Sequence, residues 1–302
     1  MDVSDEALIQ SCCNKTIERG RLQKEIWEDI GIIMGHSPDM FRSKLRKKWN
    51  LIPISTSLLY VAKDISLILY MKDYFSKSDQ IEVVSTFSEL VDTHFNGSMN
   101  AICWQRDLGG DFKEIVSKLQ LEQNVTEVYP ENLLALSLSE RGSTAREIIL
   151  NDLQLLTDFG ASPSLNLIKN YQRDDELDFI STDVYSYHVD RSPIITDTFL
   201  CTYYGASSDI LPNDQVEQKI LIPEIREKLQ ELYDGSEVDF EVFLSENYFD
   251  LHYQPKTGAK PINLGLGHLW RLAVDHPGQK ALPCIHRAPV ENESEYRLLL
   301  IC

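Results

Sequence analysis

The chain has 302 residues, enough for one large domain or a core with a sizeable extension, and its 43% apolar and 25% charged residues exclude a disordered or fibrous protein. Forty-seven acidic against 29 basic residues give a formal net charge of -18, which repels phosphate backbones and excludes a sequence-independent nucleic-acid binder. Six cysteines, at positions 12, 13, 103, 201, 284 and 302, form neither a zinc-ribbon spacing nor a disulfide framework, so reduced thiols and a cytoplasmic location are expected.

The acidic start MDVSDEALIQ lacks a basic region leading into an apolar core, and no secretion signal is expected. Residues 4–50 are predicted as amphipathic helix, because Ile17, Leu22, Ile26, Ile30 and Ile33 recur at three- to five-residue spacing. A basic knot at 41–49 carries Arg42, Lys44, Arg46, Lys47 and Lys48. It reads either as a solvated helix face or as an anion contact. The longest apolar stretch, around 58–71, is interrupted by Lys63 and Asp64 and is too short and polar to span a bilayer. Residues 58–75 and 81–92 show shorter apolar patterns, strand or helix. The turn signal Asn96-Gly97-Ser98 then divides a mainly helical N-terminal region, 1–97, from a second domain, 98–302.

Ala101-Ile102-Cys103-Trp104 reads as a strand. Residues 143–160 carry a helix signature, with Ser143 as cap, Ile148, Leu155, Leu156 and Phe159 as the apolar stripe, and Gly160 as the stop. From about residue 165 the texture changes to short β-rich runs at 164–171, 184–189, 196–204, 238–244, 264–274, 281–286 and 297–301. Such runs suggest a sandwich or jelly roll. One helix interrupts them, opened by Pro223 and closed near Gly235. The expected class is α+β: a double-stranded β-helix (jelly roll) core with flanking helices.

Tyr187-His188-Val189-Asp190 places two metal-ligand types at i and i+2, which on a strand share one face. With seven histidines and 47 acids such a pair alone arises by chance about once. A third ligand is available far downstream at His286, in Pro283-Cys284-Ile285-His286-Arg287-Ala288-Pro289. Two histidines and one carboxylate on one face leave three positions open on iron, the facial arrangement used for oxygen activation. Arg297 follows at the head of Leu298-Leu299-Leu300-Ile301, beyond a polar loop, so the two flanks are expected to form an antiparallel hairpin. Arg297 would then alternate with Leu299 and Ile301. If that face is buried, the guanidinium needs an anion, and a dicarboxylate supplies one.

His188-x-Asp190, the distant His286 and Arg297 together resemble the Fe(II)/2-oxoglutarate-dependent dioxygenase superfamily. Two blocks are also similar to an uncharacterised bacterial domain-of-unknown-function family, number eighteen twenty-six. One runs from Tyr187-His188-Val189-Asp190 into Leu200-Cys201-Thr202-Tyr203-Tyr204-Gly205. The other runs from His286-Arg287-Ala288-Pro289 into Arg297-Leu298-Leu299-Leu300, and a weaker echo sits at Ile102-Cys103-Trp104-Gln105-Arg106. The resemblance covers about 98–302. It implies Fe(II) on His188, Asp190 and His286, 2-oxoglutarate held by Arg297, and oxidation of a substrate with release of succinate and CO2.

Rival residues and rival functions stay open on the sequence. Arg287 and Arg271 compete with Arg297 for the cosubstrate carboxylate. Tyr203 and Tyr204 either hydrogen-bond that carboxylate or serve packing. The substrate is a small molecule or a peptide, with a cationic one the sharper alternative to plain solubility as the reason for the charge. No GxSxG elbow supports a hydrolase, and Gly265-Leu266-Gly267 lacks the rest of a phosphate-binding loop. The alternatives on the same scaffold are a cupin-like metal enzyme without 2-oxoglutarate and a metal-binding interaction protein.

Overall fold

The structure is a computed structural model that describes residues 78–292 and 294–302. The helical reading of 4–50, the basic knot at 41–49 and the pattern at 58–75 lie outside the described residues. The described residues belong to the unit Phe75–Cys302.

In chain order the first half holds β1 (Ile81–Val84), α1 (Phe87–Asp92), β2 (Ala101–Trp104), α2 (Phe112–Lys118), β3 (Val125–Glu127), α3 (Pro130–Leu134), α4 (Glu140–Phe159) and β4 (Ser164–Ile168). Then come β5 (Tyr187–His188), β6 (Asp197–Tyr204), β7 (Asp209–Leu211), β8 (Val216–Gln218), α5 (Pro223–Leu232) and α6 (Phe240–Glu246). The chain ends with β9 (His252–Pro255), β10 (Ile262–Asn263), β11 (Leu269–Ala273), β12 (Ile285–Arg287) and β13 (Arg297–Ile301). This is a mixed α+β arrangement with curled antiparallel sheets.

Two of the elements differ from the sequence reading. Helix α4 starts at Glu140 with Ser139, not Ser143, as its cap: the Ser139 hydroxyl oxygen accepts from the Gly142 amide at 3.1 Å. The Glu114 carboxylate of α2 accepts from that same hydroxyl at 2.5 Å, so a tertiary contact selects the cap. Gly160 closes the helix as expected, in the left-handed region at φ 98. Residues 238–244, predicted as a strand, lie mostly in α6. The alternation Val238, Phe240, Val242 suits a strand, but Phe240 and Leu244 at helical spacing bury themselves against Leu229, Ile220 and Phe249.

Seven strands form one sheet in the order β1-β2-β11-β6-β13-β4-β3, and six form a second, β10-β7-β12-β5-β9-β8. Neighbours are antiparallel except β1 and β2, which run parallel with Ile81 opposite Ala101. The turn Asn96-Gly97-Ser98 therefore joins elements of one layer, since β1 and α1 precede it. The expected β12–β13 hairpin is not formed. β12 pairs with β5 and β7 in the second sheet, whereas β13 pairs with β4 and β6 in the first, so the two strands belong to different sheets. Each strand has two flanking partners in its own sheet.

The period of two along the central strands sorts the residues. Leu165, Leu167, Phe199, Cys201, Tyr203, Leu298 and Leu300 join Ala145, Ile149 and Leu156 of α4 in the main core. The alternate residues Asn166, Ile168, Leu200, Arg297, Leu299 and Ile301 line a cavity of about 240 Å³ on the other face. In the second sheet Tyr187, Val189 and Ile285 pack outward into a smaller cluster, which turns His188 and His286 toward the same cavity. No helix among the described residues is long and apolar enough to cross a membrane.

Candidate metal centre

His188 on β5 and His286 on β12 stand directly opposite each other in the antiparallel ladder, ring centroids 4.6 Å apart. Asp190 continues the face of His188 two residues on. Its carbonyl accepts from the Asp275 amide at 2.8 Å, fixing the backbone just past the strand. The next residue, Arg191, reaches Asp275 with Nε at 2.9 Å and Asp250 with Nη2 at 2.6 Å. The ligand atoms of His188, Asp190 and His286 all lie within 4.8 Å of one another. Nε2 of His188 is 3.8 Å from Asp190 Oδ1, and Nε2 of His286 is 3.6 Å from Oδ2.

Both imidazoles are oriented from behind. Nδ1 of His188 lies 2.8 Å from the Ser186 carbonyl and Nδ1 of His286 lies 3.2 Å from that of Cys284. A carbonyl only accepts, so each Nδ1 carries the proton and each Nε2 keeps its lone pair for the centre. Burial, reinforced by His286, lowers the His188 pKa to about 4. Burial by itself would push the Asp190 carboxyl up, but His286, the Thr198 hydroxyl and His188 hold it below its ordinary range. A neutral imidazole beside a carboxylate is the protonation state that a divalent cation requires. Two imidazole nitrogens and one carboxylate oxygen on one wall of a cavity fit iron(II) in both donor type and number.

The same cavity holds Arg297, which is 2% exposed. Its Nη2 donates to Thr202 Oγ1 at 3.0 Å and Ser208 Oγ at 2.8 Å, and the Tyr171 hydroxyl lines the same cavity and favours its charged form. Nε has no partner. Among the described residues no carboxylate lies in ion-pair range of it. Glu291 exerts a pull at longer distance, while its Oε1 accepts from the Tyr185 hydroxyl at 2.6 Å. Burial accordingly lowers the Arg297 pKa.

The rival arginines are already neutralised. Arg287 pairs with Asp209 at 3.0 Å over the Tyr187 ring. Arg271 pairs with Asp197 at 2.7 Å and donates to the carbonyls of Leu90, Val91 and Thr93.

Tyr203 does not reach the cavity. It falls on the core parity of β6, stacks on Phe112 at 5.3 Å and donates to Asp152 Oδ2 at 2.6 Å. Asp152 is in turn paired with Arg106 at 2.6 Å. The tyrosine that lines the cavity is Tyr171, in the loop after β4. Sequence reasoning missed Tyr171 and Ser208, which lie outside any periodic element. It also missed Thr198 and Thr202, although their i, i+4 placement around the cavity-lining Leu200 was a usable signal. Gly205 matters for a separate reason. At φ +86, an added Cβ would meet the Tyr296 carbonyl at 2.7 Å and the Arg297 Cα at 2.9 Å, so only glycine lets β6 leave so close to Arg297.

No family model, no curated protein and no solved structure matches the chain.

Proposed function

We propose that this protein is an Fe(II)- and 2-oxoglutarate-dependent oxygenase acting on a C–H bond of a small molecule or peptide. The observation that carries the reading is Arg297: a buried guanidinium without a carboxylate, on the wall of the cavity that also holds His188, Asp190 and His286. An unpaired buried charge is costly, and a site that keeps one is suited to an anion that arrives from outside. A jelly-roll core is part of the proposal. The alternation of β4, β5, β6 and β7 between the two sheets supports it, as does the later sequence β11, β12, β13.

His188, Asp190 and His286 would hold iron(II), which when bound supplies the redox chemistry for dioxygen. One oxygen atom enters the substrate as a hydroxyl, the other enters succinate, and 2-oxoglutarate loses CO2. Arg297 grips the distal carboxylate of 2-oxoglutarate with its planar fork, and Thr202 and Ser208 hold that fork in place. Ile168, Leu200, Leu299 and Ile301 give the cavity an apolar wall that excludes water around these charges. At about 240 Å³ the space suits the cosubstrate and one inserted group of a substrate, not a large molecule whole. Buried, free Cys103, Cys201 and Cys284 support placing the protein in the cytoplasm.

The test is an anaerobic calorimetric titration with Fe(II) and then 2-oxoglutarate, followed in air by measurement of succinate. One Fe(II) per chain, 2-oxoglutarate binding and slow succinate release without added substrate are expected. Iron binding without 2-oxoglutarate binding would return the chain to the metal enzymes that do not use it.

A further inference from the structure

Asp190 offers its two oxygens unequally. Thr198, the second residue of β6, is 8% exposed and lies on the cavity face of its strand. Its hydroxyl donates to Asp190 Oδ2 at 2.5 Å. Oδ1 receives no such bond and lies 3.8 Å from His188 Nε2, whereas Oδ2, 3.6 Å from His286 Nε2, carries the Thr198 proton as well. The contact also spans the two sheets, since β6 belongs to the seven-stranded sheet and Asp190 follows β5 of the other. Thr198 itself is held by its strand, opposite Leu272 of β11.

We infer that Thr198 is a positioning residue that keeps Asp190 a one-oxygen ligand. This rests on the metal triad of the proposed function, though not on its cosubstrate. A carboxylate is free to bind a cation through one oxygen or through both. The Thr198 proton takes one of the two in-plane lone pairs of Oδ2 and makes it the weaker donor, while Oδ1 keeps both of its own, so binding through Oδ1 is favoured. The count then matters. Two imidazoles and one oxygen leave three of six positions free, whereas a chelating Asp190 would leave two. Thr198 would thus decide how many positions of a bound ion stay open, without touching the ion.

The experiment loads wild type, Thr198→Val, Thr198→Ala and Thr198→Ser with Co(II). Affinity is measured by calorimetry and coordination by the visible ligand-field bands. Thr198→Val and Thr198→Ala should shift the bands toward a higher coordination number and change Co(II) affinity by up to roughly 10- to 100-fold, the scale of losing an outer hydrogen bond to a ligand. Thr198→Ser should restore both. Alanine serves where valine disturbs folding. Unchanged affinity and bands in Val and Ala variants would overturn the role. So would a Ser variant as defective as Val, since the effect would then come from the lost methyl. A wild type that binds no Co(II) would instead remove the triad, and this inference with it.

Discussion

His286 lies across the β5–β12 ladder from His188, one residue opposite the other, with both Nδ1 atoms turned back to carbonyls two residues upstream. The centre is therefore built from a strand pair. A slip of one residue in either strand would send its histidine to the outer face, among Tyr187, Val189 and Ile285. Binding of an ion by these residues would for that reason be a direct readout of strand register.

His188→Ala and His286→Ala should each weaken Fe(II) by more than ~100-fold, since each removes a direct ligand and not merely an outer contact. Far-ultraviolet circular dichroism should stay near wild type. Calorimetry under nitrogen decides: wild-type affinity in either variant would mean the ion is held elsewhere.

Arg297→Met is expected to abolish 2-oxoglutarate binding and yet raise the stability of the metal-free protein by about 1–4 kcal/mol, because it replaces a buried charge lacking a carboxylate with an apolar chain. Arg297→Lys keeps the charge without the fork and should weaken 2-oxoglutarate by about 1–3 kcal/mol. Arg287→Ala should leave cosubstrate binding intact, since that residue is paired with Asp209. Urea melts and titrations on the three variants give the answer. A destabilised Arg297→Met would mark the arginine as structural.

Acid should destabilise the metal-free protein over a defined window. Burial, with the neighbouring histidine, lowers His188 to about 4 and His252 to about 3. In the unfolded chain both take up protons near ~6.5. Between those values the unfolded state binds more protons, so stability falls as pH drops from about 6.5 toward 4. Each histidine contributes at most ~1.4 kcal/mol to that fall for every step of one in pH. His252→Gln should make the fall shallower, measured by urea unfolding at pH 7, 5.5 and 4.5. Protons should also compete with iron at His188 only well below the range of an unperturbed imidazole.

Tyr203→Phe should cost about 1–3 kcal/mol by leaving an Asp152 oxygen buried without its donor, while 2-oxoglutarate binding is unchanged. Asp152→Ala should cost about 3–5 kcal/mol, because it strands the Arg106 guanidinium, whose side chain is 8% exposed. A loss of cosubstrate affinity in Tyr203→Phe would reinstate that tyrosine at the site.

The amino-acid sequence by itself determined the local relations. His188 and Asp190 share a face because a strand repeats every two residues, and Arg297, Leu299 and Ile301 share one for the same reason. Gly160 ends its helix because glycine alone enters the left-handed region without strain. Tertiary structure decided everything that depends on partners. Residues 238–244 fit both periods, and burial against α5 chose the helix. β12 and β13 read as a hairpin until each is seen to complete a different sheet. Tyr203 and Thr202 are neighbours in the chain, but only the packing of α4 on one side of β6 tells which of them faces Arg297. Periodicity is carried by consecutive residues, whereas which face is buried, and beside which strand, is a property of residues far apart in the chain.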